Sequence, residues 1–158
     1  MLQQIRASAI AMALKLLPVK MSGHRAEQML LAIGLQESRF EYRRQIGGPA
    51  RGFWQFERNG GVRGVLEHPS TKALAESVCL ARNVEATADA VYGTLEHDDV
   101  LAAAFARLLL WTDPQPLPAV GEVARAWDLY LRTWRPGKPH RKTWDALYAQ
   151  AMEVVTCA

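Results

Sequence analysis

A single glutamate near the end of a helical segment is the side chain best placed to transfer a proton. Apolar residues at Ala26, Met29, Leu30 and Ile33 follow the spacing of one helix face, and that face continues to Glu37. A carboxylate there would point inward near the negative end of the helix dipole, and both effects raise its pKa. A raised pKa suits a general acid at neutral pH. The alternative is a solvated glutamate on an amphipathic helix.

A turn rich in aromatic residues follows, and its glutamine lies 18 residues after the glutamate. The segment 45–52 contains three glycines and a proline, which predicts a turn or a short hairpin. Phe53, Trp54 and Phe56 then surround Gln55. Aromatic faces stack on sugar rings, and amide side chains bond to hydroxyl or N-acetyl groups. We expect Phe53 and Phe56 to belong to the core, and Trp54 together with Gln55 to form a sugar-binding site.

The two motifs together resemble those of the lytic transglycosylases, a family of the lysozyme-like superfamily that cleaves the glycan strand of peptidoglycan. Members carry a catalytic Glu-Ser pair, as in Glu37-Ser38, followed at a similar distance by Gly-hydrophobic-hydrophobic-Gln, as in the segment 52–55. The resemblance covers only the region 37–55. It implies that Glu37 is catalytic. The substrate-binding residues that it implies are Ser38, Phe53, Trp54 and Gln55.

The third motif of that family is incomplete in this chain. It is usually Ala-Tyr-Asn on a later helix, where the tyrosine hydroxyl bonds to the catalytic carboxyl, but Phe105 stands in that place here. Another hydroxyl could replace it, with Tyr130 or Tyr92 as candidates, or burial alone could tune the acid. Tyr130 shares a helix face with Trp127 and Trp134. For that cluster we favour packing against the last helix, and we add Tyr130 to the predicted substrate-binding residues.

The resemblance implies a reaction that needs one carboxylate. Glu37 would protonate the oxygen between N-acetylmuramic acid and N-acetylglucosamine, and the sugar's own 6-hydroxyl would trap the cationic centre as a 1,6-anhydro end. Lysozyme-type hydrolysis is the second interpretation, and it needs another carboxylate, for which Glu41 and Glu57 are candidates. A non-catalytic, peptidoglycan-binding component of a phage particle is the third. The intact acid disfavours it, because burying a carboxylate destabilises a fold.

Composition and helical patterning predict one domain over residues 1–158. Apolar residues make up 49% of the chain, and no low-complexity tract occurs. The pattern predicts a mainly α fold with at most one small β-hairpin near residues 45–64, and the resemblance implies that this fold is lysozyme-like. The expected helices include one that is capped by Ser22 and runs to about Phe40, and one that is capped by Asn83. Asp98 and Asp99 begin the most apolar helix, which we expect at the centre.

Several classes of function are disfavoured by what the sequence lacks. The net charge is only +3, and the Arg and Lys residues are scattered along the chain. Aromatic residues cluster with glycine rather than with basic residues, so we expect no nucleic-acid partner. No HExxH or Cys-x-x-Cys pattern occurs, so we expect no metal and no cofactor. The glycan strands of peptidoglycan are the expected partner, and phage virion or tail proteins remain open as others.

The cysteines and the N-terminal segment indicate the cellular compartment in which the chain folds. Cys79 lies in an apolar helix and Cys157 near the chain end, which favours folding in a reducing cytoplasm without a disulfide. The apolar segment 7–17 is interrupted by Lys15 and lacks a convincing cleavage site, so we interpret it as a first amphipathic helix. It is too short for a membrane span. We expect a phage or prophage product that is made in the cytoplasm without a signal peptide and acts on the periplasmic cell wall.

Overall fold

Helices dominate the computed structural model, which describes residues 1–157. In chain order the α-helices are α1 Leu2–Ile5, α2 Ala11–Lys15, α3 His24–Ser38, α4 Arg63–Glu67, α5 Lys72–Ala81, α6 Ala88–Thr94, α7 Asp99–Trp111, α8 Val123–Trp134 and α9 Arg141–Thr156. A π-helical segment, Arg6–Ile10, joins α1 to α2, a second, Arg58–Val62, leads into α4, and a 3-10 turn, Val19–Met21, precedes α3. The predicted mainly α architecture is confirmed.

Strand pairing is limited to two isolated antiparallel bridges, Arg44 with Arg51 and Arg51 with Phe56, within the described residues. Arg51 and Phe56 exchange both backbone hydrogen bonds at 2.9 Å, which closes a tight turn over the segment 52–55. Gly52 occupies the left-handed region at φ 78°, where glycine is favoured. This agrees with the prediction of at most one small hairpin.

The centres of α3 and α7 form the middle of the hydrophobic core. Every residue from 28 to 35 in α3 and from 101 to 110 in α7 is buried. A helix that is buried on all sides is typical of a core element rather than an amphipathic surface helix. The predicted apolar face of α3 is therefore buried, but so is the opposite face. The predicted start of α7 is confirmed, because the Asp98 side chain accepts the Leu101 amide at 3.0 Å.

Two predicted helix caps are wrong. α3 begins after Gly23, which has φ 125°, and no side chain caps it, so Ser22 does not cap this helix. α6 is capped by Thr87, whose hydroxyl accepts the Ala90 amide at 3.2 Å. Asn83 instead adopts a left-handed φ of 59° just after α5. Asparagine tolerates that conformation better than most residues, which suits a helix end rather than a helix start.

The C-terminal end of α3 determines how the chain returns to it. The helix was predicted to reach about Phe40, but it ends at Ser38 because Arg39 and Phe40 are left-handed, at φ 57° and 54°. The Phe40 ring packs over Gly34, where an added Cβ would overlap the ring. It also contacts the Trp54 ring edge-on at 5.5 Å. The chain therefore reverses directly after Ser38 and brings the segment 52–55 back onto α3.

Among residues 1–157, no helix has both the length and the apolar character that spanning a bilayer requires.

The two cysteines are free thiols, of which Cys79 is buried and Cys157 is exposed. Burial, with a smaller contribution from the charge of Glu76, raises the pKa of Cys79 to about 11.

Candidate active site

Glu37 lies in the last turn of α3 and lines an open cleft of about 510 Å³. Three parts of the chain face the cleft besides α3: the segment 42–57, the C-terminal end of α8, and the loop that follows α8. The glutamate is half-buried, so its carboxyl group is largely removed from water but still borders the cleft. This volume falls within the range of protein ligand sites.

Burial is the main influence on the acidity of Glu37. It raises the pKa of the carboxyl from 4.5 to about 7, while the Tyr130 hydrogen bond lowers it and the negative charge of Glu57 adds to the rise. Burial outweighs the hydrogen bond, because removing a carboxylate from water penalises its charged form more than one donor stabilises it. At pH 7 roughly half of the molecules then carry the proton. A carboxyl group in that state can both donate and accept a proton.

The Tyr130 hydroxyl donates a hydrogen bond to Oε2 of Glu37. Tyr130 belongs to α8 and is only 3% exposed, and its ring stacks on Trp144 with centroids 5.3 Å apart. Burial, followed by the nearby charge of Glu37, raises the pKa of Tyr130, so the hydroxyl keeps its proton. Of the two candidate tyrosines, Tyr130 reaches the acid, whereas Tyr92 bonds to the Pro49 carbonyl.

Ser38 was predicted to bind substrate, but its side chain is buried and does not line the cleft. Its hydroxyl lies 2.7 Å from the carbonyl oxygen of Phe53 and 3.2 Å from that of Gly34, and it accepts the amide of Phe40 at 3.1 Å. These bonds join the end of α3 to the returning turn. Ser38 therefore positions the helix end that carries Glu37.

Trp54 and Phe53 were also predicted to bind substrate, but both are core residues that do not line the cleft, as the residue pattern had indicated for Phe53 and Phe56. Trp54 is 0% exposed, and its indole N–H donates to the Leu30 carbonyl oxygen at 2.8 Å. Phe53 is buried too, and its ring contacts the Phe40 ring edge-on at 5.3 Å. The reversal at the end of α3 folds both rings over that helix. Neither ring presents a face to the cleft.

Two other predicted residues remain at the cleft. Gln55 is half-buried and lines it, and its side-chain N–H donates to the Gly52 carbonyl oxygen at 2.8 Å. Glu57 is exposed and lines the cleft as well. Glu41 is exposed and does not line it, because α3 ends before the turn that would bring Glu41 beside the acid. Glu57 is therefore the second carboxylate of this site.

Trp134 is a cleft residue that the sequence analysis assigned to packing against the last helix. Trp127 and Tyr130 do pack there on Trp144, with ring centroids 5.5 and 5.3 Å apart. Trp134 instead packs edge-on against Phe56, with ring centroids 5.8 Å apart. Trp134 is half-buried, and its N–H donates to the Trp54 carbonyl oxygen at 2.9 Å. Its place at the last residue of α8, directly before an Arg-Pro-Gly break, is the sequence signal that could have identified it.

Tyr42 is a further cleft residue that the sequence analysis missed. Its hydroxyl donates to the backbone carbonyl oxygen of Glu37 at 3.0 Å. The bond satisfies a carbonyl of the last turn of α3, where no helical amide follows. Tyr42 therefore holds the main chain of the acid, while Tyr130 holds its side chain. No spacing rule in the sequence marks Tyr42.

The cleft adjoins a second cavity of about 850 Å³. Glu57, Trp134 and Arg135 line both, so the two form one elongated groove with Trp134 at the junction. Basic side chains border each half, among them Lys138 on the Glu37 side and Arg132 on the other. An elongated groove with an aromatic side chain midway suits a chain-like ligand better than a compact one.

Comparisons with protein-family models, with curated proteins and with solved structures gave no match. Across residues 1–157, no three His, Cys, Asp or Glu side chains lie close enough together to hold a metal ion. The chemistry of the cleft residues is therefore the basis for a functional assignment.

Proposed function

We propose that this chain cleaves the glycan strand of peptidoglycan between N-acetylmuramic acid and N-acetylglucosamine by a lytic transglycosylase reaction. The observation that carries the proposal is Glu37, a half-buried carboxyl with a pKa of about 7 that lines an open groove. The resemblance of the segment 37–55 to the motifs of that family supports the same chemistry.

In the first step Glu37 transfers its proton to the glycosidic oxygen as the bond to the anomeric carbon breaks. Tyr130 bonds to Oε2, which leaves Oε1 to carry that proton. The leaving N-acetylglucosamine departs as an alcohol, and the muramic acid keeps a cationic anomeric centre. Glu37, now ionised, lies beside that centre.

In the second step the 6-hydroxyl of the same muramic acid attacks the anomeric carbon, and its proton returns to Glu37. The product is a 1,6-anhydro end, and no water is consumed. The attack is intramolecular, so it benefits from an effective concentration that free water does not reach. One carboxyl therefore suffices, and a pKa near neutrality allows it to act first as acid and then as base.

The groove residues support a sugar polymer as substrate. Trp134 offers a partly exposed indole at the junction of the two cavities, and aromatic faces stack on sugar rings. Gln55 and Tyr42 place polar groups in the half that contains Glu37, where they suit N-acetyl and hydroxyl groups. Lys138 and Arg135 add positive charge, which suits the carboxylates of muramic acid and of the attached peptides.

Hydrolysis of the same bond is the second candidate, and one observation favours it. Glu57 lines the groove beside Glu37, and its charge contributes to the raised pKa of that acid. A second carboxylate can activate water or stabilise the cationic centre, as in lysozyme-type enzymes. The transglycosylase reaction ranks first because it needs no further group, and the products distinguish the two reactions.

Digestion of purified murein, followed by mass spectrometry of the fragments, tests the proposal. We expect 1,6-anhydro-muramyl ends with the wild-type chain, and none above background with Glu37→Gln as the matched control. Reducing muramic acid ends as the main product would assign the chain to the hydrolases. Pull-down by murein sacculi without any fragments would instead indicate a binding component.

A further inference from the structure

Arg107 is a buried cation whose hydrogen-bonding capacity is only partly used. It is 3% exposed, on α7, and its Nε donates to the Met21 carbonyl oxygen at 2.8 Å. Its buried Nη1 has no acceptor within residues 1–157. Burial lowers the pKa of the guanidinium to about 10, so it is still charged at neutral pH. The guanidinium carbon lies 5.6 Å from the centre of the Trp111 ring, but no carboxylate pairs with it among the described residues. A buried charge without an opposite charge destabilises a fold, so an anionic ligand here would be stabilising.

Arg107 lines a cavity of about 890 Å³ together with the first residues of α3. α3 has 15 residues and starts without any side-chain cap, so the amides of His24, Arg25 and Ala26 precede the first intrahelical bonds. Such amides, with the positive end of the helix dipole, favour an anion. The acidic residue of that first turn, Glu27, is already paired with Arg6 at 3.1 Å.

The charges that face this cavity are predominantly positive. Lys20 and Arg25 line it beside Arg107. The opposing carboxylate is Asp113, which accepts a hydrogen bond from Arg132 at 2.8 Å, so its charge is already matched. The Arg132 contact holds the pKa of Asp113 below its usual range. The cavity is therefore suited to one further negative group.

Apolar side chains form the remaining walls. Leu110 and Trp111 contribute from the end of α7, and Pro114, Pro116 and Leu117 contribute from the loop that follows. The Lys20 ammonium lies 5.4 Å from the centre of the Trp111 ring. A ligand that fills this space must bring an apolar body along with its charge.

We propose that this cavity binds a small organic anion, in which a carboxylate or phosphoryl group is carried on an apolar body. The charged group would accept hydrogen bonds from Arg107 and from the first amides of α3, and such bonds to an ionised group are stronger than neutral ones. The apolar body would lie against Trp111 and the proline-rich loop. The site is at the opposite end of α3 from Glu37, about 20 Å along the helix, and it does not depend on the proposed glycan cleavage.

Thermal unfolding and titration calorimetry with four probes test the site: sodium octanoate, octyl phosphate, inorganic phosphate and octyl glucoside. We expect both amphiphilic anions to raise the Tm of the wild-type chain and to bind with a measurable Kd. Inorganic phosphate should bind at least tenfold more weakly, because it lacks the apolar body. Octyl glucoside, which has the same alkyl chain but no charge, should produce no shift.

Arg107→Met removes the charge and keeps much of the apolar volume. We expect this variant to be at least as stable as the wild type without ligand, because a buried unpaired charge is gone. Its affinity for octyl phosphate should fall at least tenfold. Arg63→Met, which removes an exposed α4 arginine that pairs with Glu67, is the matched control and should bind like the wild type.

Lys20→Gln provides a second variant at an exposed position, in case Arg107→Met does not fold. It should weaken binding of octyl phosphate at least twofold and leave the ligand-free Tm unchanged. Equal binding by wild-type and both variant chains would overturn the proposal, as would the absence of any shift with octanoate and octyl phosphate. An equal shift with octyl glucoside would overturn it too, since the cavity would then bind alkyl chains regardless of charge.

Discussion

Tyr130 donates its hydroxyl hydrogen to Oε2 of Glu37, although 93 positions separate the two residues in the chain. A donor on a carboxylate stabilises its ionised form, whereas burial stabilises the protonated form. Both act on Glu37, and the pKa settles at about 7 because burial is the larger effect. Tyr130 therefore limits how far burial raises the pKa, and it fixes which carboxyl oxygen is free to carry the proton.

Tyr130→Phe should move the alkaline limb of the pH profile to higher pH. The proposed reaction requires protonated Glu37, so kcat/KM should fall as the pH rises through about 7. Without the hydroxyl the ionised carboxylate loses a donor, and the pKa of Glu37 rises further. Initial rates of murein solubilisation between pH 5 and 9 measure this. Tyr92→Phe is the control, because that hydroxyl bonds to Pro49 instead. An unmoved limb in Tyr130→Phe would show that the bond does not tune the acid.

Glu37→Gln should remove activity and increase stability at alkaline pH. The amide cannot deliver a proton, so we expect a loss of about 10²–10⁴-fold, the usual contribution of an acid-base group. The folded-state pKa of about 7 exceeds the ordinary 4.5, so the native form binds the proton more tightly than the unfolded form. That contribution to stability is complete below pH 4.5 and is lost as the pH rises through 7.

The neutral glutamine has no such dependence on pH. The free energy of unfolding of Glu37→Gln should therefore exceed that of the wild type above pH 7, by on the order of 1–3 kcal/mol, and the excess should shrink towards pH 4. Urea unfolding at pH 4, 6 and 8 measures it. A pH-independent difference between the two chains would contradict the raised pKa.

Glu57→Gln should keep substantial activity and shift the alkaline limb to lower pH. The charge of Glu57 raises the pKa of Glu37, so its removal lowers that pKa, in the opposite direction to Tyr130→Phe. Glu41→Gln removes an exposed glutamate outside the cleft and should leave the profile unchanged. Loss of nearly all activity in Glu57→Gln, with reducing ends in the wild-type products, would assign the reaction to hydrolysis.

Trp134→Leu should weaken the binding of glycan chains. If stacking of the indole on a sugar ring contributes as much as an aromatic pair, about 0.5–1.5 kcal/mol, kcat/KM should fall roughly 2- to 12-fold. Trp134→Phe keeps an aromatic face and is the matched control, with a smaller loss expected. Steady-state kinetics on soluble glycan fragments, with a thermal unfolding check, measure both variants. Identical kinetics for Trp134→Leu and the wild type would remove the indole from the substrate site.

Gly34→Ala should destabilise the fold, because the new methyl group would overlap the Phe40 ring. Overpacking of a core typically costs about 1–3 kcal/mol. Gly93→Ala is the control, since Gly93 is in α6 and has open space where a Cβ would lie. Alanine is the better helix former, so that variant should be neutral or stabilised by up to about 1 kcal/mol. Urea unfolding midpoints, compared at equal m-values, measure the stability of both variants. Equal stabilities of Gly34→Ala and Gly93→Ala would show that the Phe40 ring moves aside without loss of stability.

The sequence by itself determined the features that depend on neighbours along the chain. Helical spacing placed α3, and the same spacing put Glu37 in its last turn. Two aspartates before an apolar run predicted where α7 begins, and the structure shows that Asp98 caps it. Glycines and a proline marked the turn at 45–52 as non-helical. Each of these follows from backbone preferences and from side chains within a few residues, which a single sequence contains.

Tertiary packing decided the rest, because it brings together residues that no local pattern connects. The left-handed conformation of Phe40, with its ring over Gly34, ends α3 at Ser38 and buries Trp54 against that helix. The same early end of α3 separates Glu41 from the acid. α9 packs on α3, and α8 packs on α9 through the stack of Tyr130 on Trp144. This arrangement brings Tyr130 to Glu37 and presents Trp134 to the groove, where the sequence had pointed to Trp54. The carboxyl's position was thus local information, but its pKa of about 7 depends on burial by segments far away in the chain.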